Sequence, residues 1–244
     1  SSTVSVLVNQ PPVVTIFPNG PTEFCDGGSV NLTASGADTY LWSTGETGPL
    51  ITVSTSGLFS VTGTNANGCS TETSDIEVTV YPNPEPTITP DGPIAFCDGD
   101  TVVLTSSAAD SYLWSTGATT QSIIVTTTGT FTVSVEDEFG CEGTSDPISV
   151  EVFINPTPTI SLSGPAEFCL GDSVVLTASG AVAYLWSTGD TTAAIVVATS
   201  GDYSVMVTDE NGCTGESADV TITVYDEPVV SISASDTVVC DGQI

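Results

Sequence analysis

Apolar and polar residues alternate in short segments along the whole chain. Val30, Leu32 and Ala34, for example, alternate with Asn31 and Thr33. This period of two residues is typical of a β-strand with one buried face. Gly, Asn, Asp and Ser separate the segments, and no window has the 3.6-residue period of an amphipathic helix. The pattern predicts an all-β protein.

These segments recur with a fixed period of 72 residues. Three sets of residues keep this spacing without an insertion: Cys25, Cys97 and Cys169; Trp42, Trp114 and Trp186; Cys69, Cys141 and Cys213. A fixed period at independent positions indicates tandem copies of one small domain. Six or seven short β-branched strands per copy predict an antiparallel β-sandwich.

The repeat sets the predicted domain boundaries. We expect three repeats at 11–81, 82–153 and 154–225, which are called the first, second and third repeats below. Residues 1–10 match the last strand of a preceding copy, and 226–244 match the start of a following copy, so we expect an excerpt from a longer array. Pro-rich joints at 9–22, 81–95 and 153–167 should stiffen the chain between domains.

The seven cysteines predict one disulfide inside each repeat. The expected pairs are Cys25–Cys69, Cys97–Cys141 and Cys169–Cys213, with Cys240 unpaired in this fragment. A sandwich of roughly 70 residues buries little apolar surface, so a cross-link would stabilise it. No CxxC spacing supports the alternative of a redox or metal site. Paired cysteines in small domains predict an oxidising, extracellular or periplasmic setting.

The charge of the chain excludes several classes of partner. It has 30 acidic residues and no Lys, Arg or His, which makes a formal net charge of −30. Nucleic acids and anionic membrane surfaces would be repelled, so we expect neither as a partner. General bases that activate Ser or Cys nucleophiles are missing. We predict no enzyme activity and no cofactor, although paired carboxylates leave glycoside hydrolysis open.

Several motifs together resemble a known group of repeats. They are Phe-Cys-x-Gly-x-x-Val-x-Leu, Tyr-Leu-Trp-Ser-Thr-Gly, Gly-x-Phe/Tyr-x-Val and Gly-Cys. The pattern is similar to the immunoglobulin-like or PKD-like repeats of giant Bacteroidetes surface proteins, including gliding-motility adhesins exported by type IX secretion, and it covers nearly the whole chain. The resemblance implies tandem immunoglobulin-like sandwiches in a stalk or adhesin at the cell surface. Related sandwiches have a tyrosine corner where Phe59, Phe131 and Tyr203 lie, but a Phe cannot make its hydrogen bond.

The three tryptophans have two interpretations. Trp42, Trp114 and Trp186 could stack on sugars, as exposed aromatic residues do in carbohydrate-binding modules. Their identical placement, on the same strand face as a tyrosine, favours the buried core tryptophan of an immunoglobulin-like sandwich.

Acidic turns near the end of two repeats are weak Ca²⁺ candidates. Asp137, Glu138, Asp209 and Glu210 could supply oxygen ligands. The first repeat has Asn65 and Ala66 there, so no acidic position is common to all copies. Solvated turn carboxylates are the favoured interpretation.

Three hydroxyl residues are candidates for O-glycosylation. Thr101, Ser173 and Thr237 each follow an Asp and precede a Val, which resembles the acceptor motif of Bacteroidetes. The first repeat has Gly28-Ser29-Val30 and should be bare. The alternative is an ordinary turn into a strand.

These features predict a structural role. We expect a repeat segment of an extracellular filament or stalk that spaces an adhesive end from the cell. Its expected partners are neighbouring repeats of the same chain and surface glycans. The alternatives are a multivalent glycan-binding array, through loops such as Ser43-Thr44-Gly45, and a spacer in a secreted polysaccharide-degrading enzyme.

Overall fold

The computed structural model describes residues 3–233, in which all regular secondary structure is β-strand. Each repeat contains nine short strands in the same order. Those of the first repeat are β1 (Thr15–Pro18), β2 (Glu23–Cys25), β3 (Val30–Ser35), β4 (Thr39–Trp42), β5 (Leu50–Val53), β6 (Gly57–Phe59), β7 (Val61–Thr64), β8 (Ser70–Glu72) and β9 (Ile76–Tyr81).

The strands of the other two repeats follow the same order. The second repeat contains β10 (Ile88–Pro90), β11 (Ala95–Cys97), β12 (Val102–Ser106), β13 (Ser111–Trp114), β14 (Ser122–Val125), β15 (Gly129–Phe131), β16 (Val133–Glu136), β17 (Glu142–Thr144) and β18 (Ile148–Phe153). The third contains β19 (Ile160–Leu162), β20 (Glu167–Cys169), β21 (Val174–Ala178), β22 (Ala183–Trp186), β23 (Ala194–Val197), β24 (Gly201–Tyr203), β25 (Val205–Thr208), β26 (Thr214–Glu216) and β27 (Val220–Tyr225).

Strand pairing in the first repeat makes two layers. One layer has the order β1-β3-β5, and the other contains β4-β7-β8 and β2-β9-β6. A single residue separates β6 from β7, and three residues separate β8 from β9, so the last two groups form one layer. The equivalent strands pair in the same way in the other repeats. Most pairs are antiparallel, but β2 runs parallel to β9, because the chain changes layer between β1 and β2.

The buried faces of both layers meet in one core. In the first repeat, alternate residues of β3 pack with residues of the other layer: Val30, Leu32, Ala34, Trp42, Ile51, Val53, Phe59, Val61 and Val78. Equivalent residues form the core of the third repeat, and the same positions are buried in the second. The prediction of tandem all-β sandwiches is therefore confirmed.

The described chain divides into two compact units. Unit 1 extends to Pro93 and includes Val102–Val125 and Gly129–Val150. Unit 2 contains Ile94–Thr101, Thr126–Thr128 and the chain from Glu151 onward. This division does not follow the 72-residue period, so the domain boundaries stay a prediction.

Candidate functional site: the cysteine junctions

The described cysteines form two disulfides, and both join one repeat to the next. Cys25 bonds Cys141 and Cys97 bonds Cys213, with Cα atoms 5.5 Å apart in each pair. The predicted pairs within repeats, Cys25–Cys69, Cys97–Cys141 and Cys169–Cys213, are therefore wrong. Among the described residues Cys69 and Cys169 are unpaired, and Cys240 lies outside that part of the chain.

Strand direction explains why the predicted pairs cannot form. Cys25 ends β2 and lies beside Tyr81, the last residue of β9. Cys69 lies just before β8, at the opposite end of the β8–β9 run. At about 3.3 Å per residue, the twelve residues from Cys69 to Tyr81 span roughly 30–40 Å. A disulfide needs Cα atoms within about 7 Å, so only the next repeat can supply the partner.

A recurring turn presents the second cysteine of each repeat. The Oδ1 atom of Asp137 accepts backbone hydrogen bonds from Phe139 at 3.0 Å and Cys141 at 2.9 Å. Asp209 does the same for Asn211 and Cys213, at 2.9 and 2.8 Å.

The first repeat contains the same turn with an amide in place of the carboxylate. Asn65 Oδ1 accepts from Asn67 at 3.1 Å and from Cys69 at 3.0 Å. Sequence reasoning missed this site because it compared carboxylates. The shared feature is an Asp or Asn side-chain oxygen four residues before the cysteine.

Further contacts in unit 1 surround the Cys25–Cys141 disulfide. The rings of Tyr81 and Phe139 stack with centroids 4.0 Å apart and an interplanar angle of 5°. Asn83 Nδ2 donates to the Asp26 carbonyl oxygen at 3.3 Å. These contacts tie the end of the first repeat and the following joint to the disulfide region.

The joints approach the next repeat at glycine. A Cβ atom at Gly143 would overlap the carbonyl oxygen of Pro84, and one at Gly215 would overlap that of Pro156. In unit 2, Asn155 Nδ2 donates to the Asp98 carbonyl oxygen at 2.8 Å, near Cys97–Cys213. The Pro-rich joints are therefore packed segments.

A tyrosine–carboxylate pair lies at the same end of the first and third repeats. The Tyr81 hydroxyl donates to Glu23 Oε2 at 3.0 Å, and the Tyr225 hydroxyl donates to Glu167 Oε2 at 3.1 Å. In each pair the hydrogen bond is the main cause that raises the tyrosine pKa above 10.0, because the phenol must keep its proton to donate. The negative charge of the carboxylate adds to the shift. The second repeat replaces both partners together, with Ala95 and Phe153.

The structure places the three tryptophans in the core. Trp42, Trp114 and Trp186 are only 2%, 1% and 2% exposed. Each indole Nε1 donates to a backbone carbonyl oxygen, of Gly48, Thr120 and Thr192, at 2.9, 2.8 and 2.8 Å. Burial leaves no ring face available to stack on a sugar.

The tyrosine corner is present in the third repeat. The Tyr203 hydroxyl donates to the Thr199 carbonyl oxygen at 3.0 Å. The two equivalent phenylalanines are buried without such a bond, as their chemistry requires.

The weak Ca²⁺ candidates do not form a ligand cluster. No group of three or more Asp, Glu, Cys or His side chains in residues 3–233 could hold a metal ion. Asp137 and Asp209 use one oxygen each in the cysteine turn, and Glu138 and Glu210 are exposed. Ca²⁺ binding stays a prediction.

The glycosylation candidates that the structure describes lie at the surface. Thr101 and Ser173 are exposed and immediately precede β12 and β21. The N–H groups of Asp100 and Asp172 close turns onto the carbonyl oxygens of Cys97 and Cys169, at 3.1 Å each. Thr237 lies outside the described residues. Modification stays a prediction.

An open groove of about 550 Å³ lies on the first repeat, next to the Ser43-Thr44-Gly45 loop. Its lining includes Tyr40, Leu41, Gly48 and Pro49. The second repeat has Thr120 and Gln121 in place of Gly48 and Pro49. The lining is therefore not a common feature of the repeats.

The two layers, the buried tryptophan on the fourth strand and the parallel second strand define tandem immunoglobulin-like β-sandwiches. The disulfides point to an extracellular or secreted protein. In the described part of the chain, no helix is long and apolar enough to cross a membrane.

No protein-family profile matches the sequence, and no curated protein matches it. Among solved structures, the chain is similar to the N-terminal eight Ig domains of Down syndrome cell adhesion molecule, with 14% identity and a TM-score of 0.40, covering 88% of this chain and 37% of that one. It is also similar to a bacterial ice-binding adhesin of 1.5 MDa, with 16% identity and a TM-score of 0.36, covering 90% of this chain and all of that one.

A third similar structure is the Bacteroides ovatus protein SGBP-B of a mixed-linkage glucan utilization locus, in complex with a heptasaccharide. It has 14% identity and a TM-score of 0.23, and the match covers 90% of this chain and 72% of that one. These similarities concern the fold alone.

Proposed function

We propose that this chain is a non-catalytic structural segment of an extracellular filament or stalk, which spaces the adhesive end of a cell-surface protein from the cell. A gliding-motility adhesin exported by type IX secretion is the setting that the sequence resemblance favours. The observation that carries the proposal is the pair of inter-repeat disulfides, because they join successive repeats by a second covalent link.

The connectivity suits a chain under tension. Between Cys25 and Cys213 the backbone runs through 188 residues. A shorter covalent route crosses from Cys25 to Cys141, returns along the backbone to Cys97, and crosses to Cys213. That route contains only 44 backbone residues. Unfolding under load could therefore release little of the stored length.

The composition supports a role without chemistry. The chain has no Lys, Arg or His, so it lacks the usual general bases and the cations that neutralise phosphate. Its uniform negative charge favours solubility and keeps neighbouring filaments apart. We propose neighbouring repeats and surface glycans as its partners, with no nucleic acid and no direct membrane contact.

Force spectroscopy of single molecules held at both termini tests the mechanical role. We expect the oxidised chain to extend less than the reduced chain by about 144 residues, or roughly 500 Å at 3.3–3.6 Å per residue. The matched control is the Cys25→Ser, Cys97→Ser double variant, which should extend fully without reductant. Equal extension of the oxidised and reduced wild-type chain would contradict the proposal.

A second candidate function is multivalent glycan binding, for which the groove of the first repeat is the favouring observation. A glycan array distinguishes it from the spacer role. Saturable binding that Tyr40→Ala or Leu41→Ala removes would support this candidate, whereas absence of binding supports the spacer. The flanking sequence would test the third role, a spacer within a polysaccharide-degrading enzyme.

A further inference from the structure

The two cysteines left unpaired in the described residues are of complementary types. Both disulfides join the first cysteine of one repeat, Cys25 or Cys97, to the second cysteine of the next repeat, 116 residues later. Cys169 is a first cysteine and Cys69 is a second cysteine. They are the two kinds of partner that the observed rule combines.

The region around Cys169 has the same structure as a bonded first cysteine. Cys169 pairs in parallel with Tyr225, as Cys25 pairs with Tyr81. The N–H of Leu170 donates to the Tyr225 carbonyl oxygen at 2.8 Å, and the bonded repeat has the same contact from Asp26 to Tyr81 at 2.8 Å. We call Cys169, Tyr225 and Glu167 the socket.

The region around Cys69 has the same structure as a bonded second cysteine. The turn that begins at Asn65 holds Cys69 with the backbone bonds that Asp137 makes to Phe139 and Cys141. We call the turn from Asn65 to Cys69 the plug. Both halves of the junction are therefore formed before any partner is present.

Exposure shows that both halves are open. The bonded second cysteines, Cys141 and Cys213, are 0% exposed, but Cys69 is only partly buried and Cys169 is exposed. Tyr225 is 53% exposed, whereas Tyr81, beside a bonded cysteine, is partly buried. The surfaces that a neighbouring repeat covers at the existing junctions are uncovered at these two.

We propose that the socket binds the plug of a second copy of this chain, head to tail, and that a Cys169–Cys69 disulfide closes the junction. The occupant follows from continuity with the existing junctions, where a socket of the same structure receives a plug of the same structure. This inference rests on the proposed function, since it extends the same cross-linked array between molecules.

The covalent step needs a disulfide oxidant, and oxidised glutathione serves. The Cys169 thiolate attacks one sulfur of glutathione disulfide, forms a mixed disulfide and releases one glutathione thiolate. The Cys69 thiolate of the second copy then attacks Cys169 Sγ and releases the second glutathione thiolate. Two cysteine thiols are oxidised, one disulfide is reduced, and the two protons pass to the released thiolates.

A mixing experiment tests the proposal in a Cys240→Ser background. One protein carries Cys69→Ser and presents only the socket, and the other carries Cys169→Ser and presents only the plug. They are mixed in glutathione redox buffer with added salt, because both copies are strongly acidic. Non-reducing electrophoresis and mass spectrometry of the linked peptide then identify the products. We expect the heterodimer at about tenfold the yield of either homodimer.

A gain-of-function variant tests the geometry independently. Phe139 stacks on Tyr81 at the bonded junction, and Asn67 is its equivalent in the plug. Asn67→Phe should therefore raise the heterodimer yield through a ring stack on Tyr225, and Asn67→Leu is the matched control. Tyr225→Ala in the socket protein should cancel the gain.

Two outcomes would overturn the proposal. One is a statistical mixture of heterodimer and homodimers, and the other is no linked product although both thiols react with a small alkylating reagent. If docking fails while tension still shows the shorter covalent route within the chain, the proposed function stands and only the second-copy junction falls.

Discussion

At the residue scale, the pair of Tyr81 and Glu23 shows how the end of a repeat is shaped for its neighbour. The carboxylate holds the phenol by a hydrogen bond of 3.0 Å, and the ring stacks on Phe139. The second repeat changes both partners together, to Phe153 and Ala95. The bond therefore orients the ring in the first repeat, and a ring without a hydroxyl needs no carboxylate.

The first prediction concerns the pKa of Tyr81. The folded state holds the phenolic proton more tightly than the unfolded chain, so the bond contributes stability below pH 10 and loses it as the pH rises through the raised pKa. We expect Glu23→Gln to lower the Tyr81 pKa. The measurement is phenolate absorbance during an alkaline titration, taken as the difference from Tyr81→Phe in each background. Glu167→Gln is the control, and an unchanged pKa in Glu23→Gln would refute the assignment.

At the element scale, the cysteine turn is the feature that all three repeats share. Its acceptor is Asn in the first repeat and Asp in the others, so oxygen geometry matters and charge does not. The turn places the second cysteine at the start of the strand that follows it. Since the first cysteine lies at the other end of the same layer, the pair can form only between successive repeats.

The second prediction separates a turn role of Asp137 from a Ca²⁺ role. Asp137→Ala removes the acceptor of two backbone hydrogen bonds and should lower the free energy of unfolding by about 1–3 kcal/mol. Asp137→Asn keeps the acceptor, as Asn65 does, and should stay close to wild type. Urea denaturation measures both, with exposed Glu138→Ala as the neutral control. Equal losses for Asn and Ala would show that the charge itself matters.

At the scale of the whole molecule, the disulfides make each joint a double covalent connection. The loop closed by Cys25–Cys141 encloses the joint after the first repeat, and the loop closed by Cys97–Cys213 encloses the next. A single backbone cut at a joint would therefore leave the chain in one piece. Repeats linked in this way should also be coupled in stability to their nearest neighbours.

The third prediction uses the absence of Lys and Arg to make one tryptic site. Pro82→Arg places that site at the exposed start of the first joint. After trypsin, we expect a single band without reductant and two fragments with it, because Cys25–Cys141 spans the cut.

Val230→Arg is the matched control for this cut. Val230 is 81% exposed and lies after both loops, so its C-terminal peptide should separate without reduction. Fragments that separate from Pro82→Arg without reductant would instead indicate disulfides inside repeats.

The fourth prediction concerns the net charge of −30. Salt screens the mutual repulsion of the carboxylates, and the chain has no Lys, Arg or His side chains whose ion pairs salt could weaken. Added NaCl should raise Tm by about 2–4 °C for each kcal/mol gained. CaCl₂ and MgCl₂ at equal ionic strength should act alike. A larger effect of Ca²⁺ would instead reveal a specific site.

The sequence by itself determined the strands, the 72-residue repeat and the core. These features depend on local alternation, which each short segment expresses alone. Even an exception is local: Gly63 interrupts the buried pattern that Val135 and Val207 continue, because Val14 fills its place, 2.5 Å from where a Cβ would lie.

Only the tertiary structure decided which cysteines meet. A pair within one repeat and a pair between neighbours both recur every 72 residues, so spacing could not distinguish them. The choice depends on the direction of β2 beside β9 and on the length of the layer. Strand direction places the two cysteines of one repeat at opposite ends, and this long-range geometry leaves no trace in local alternation.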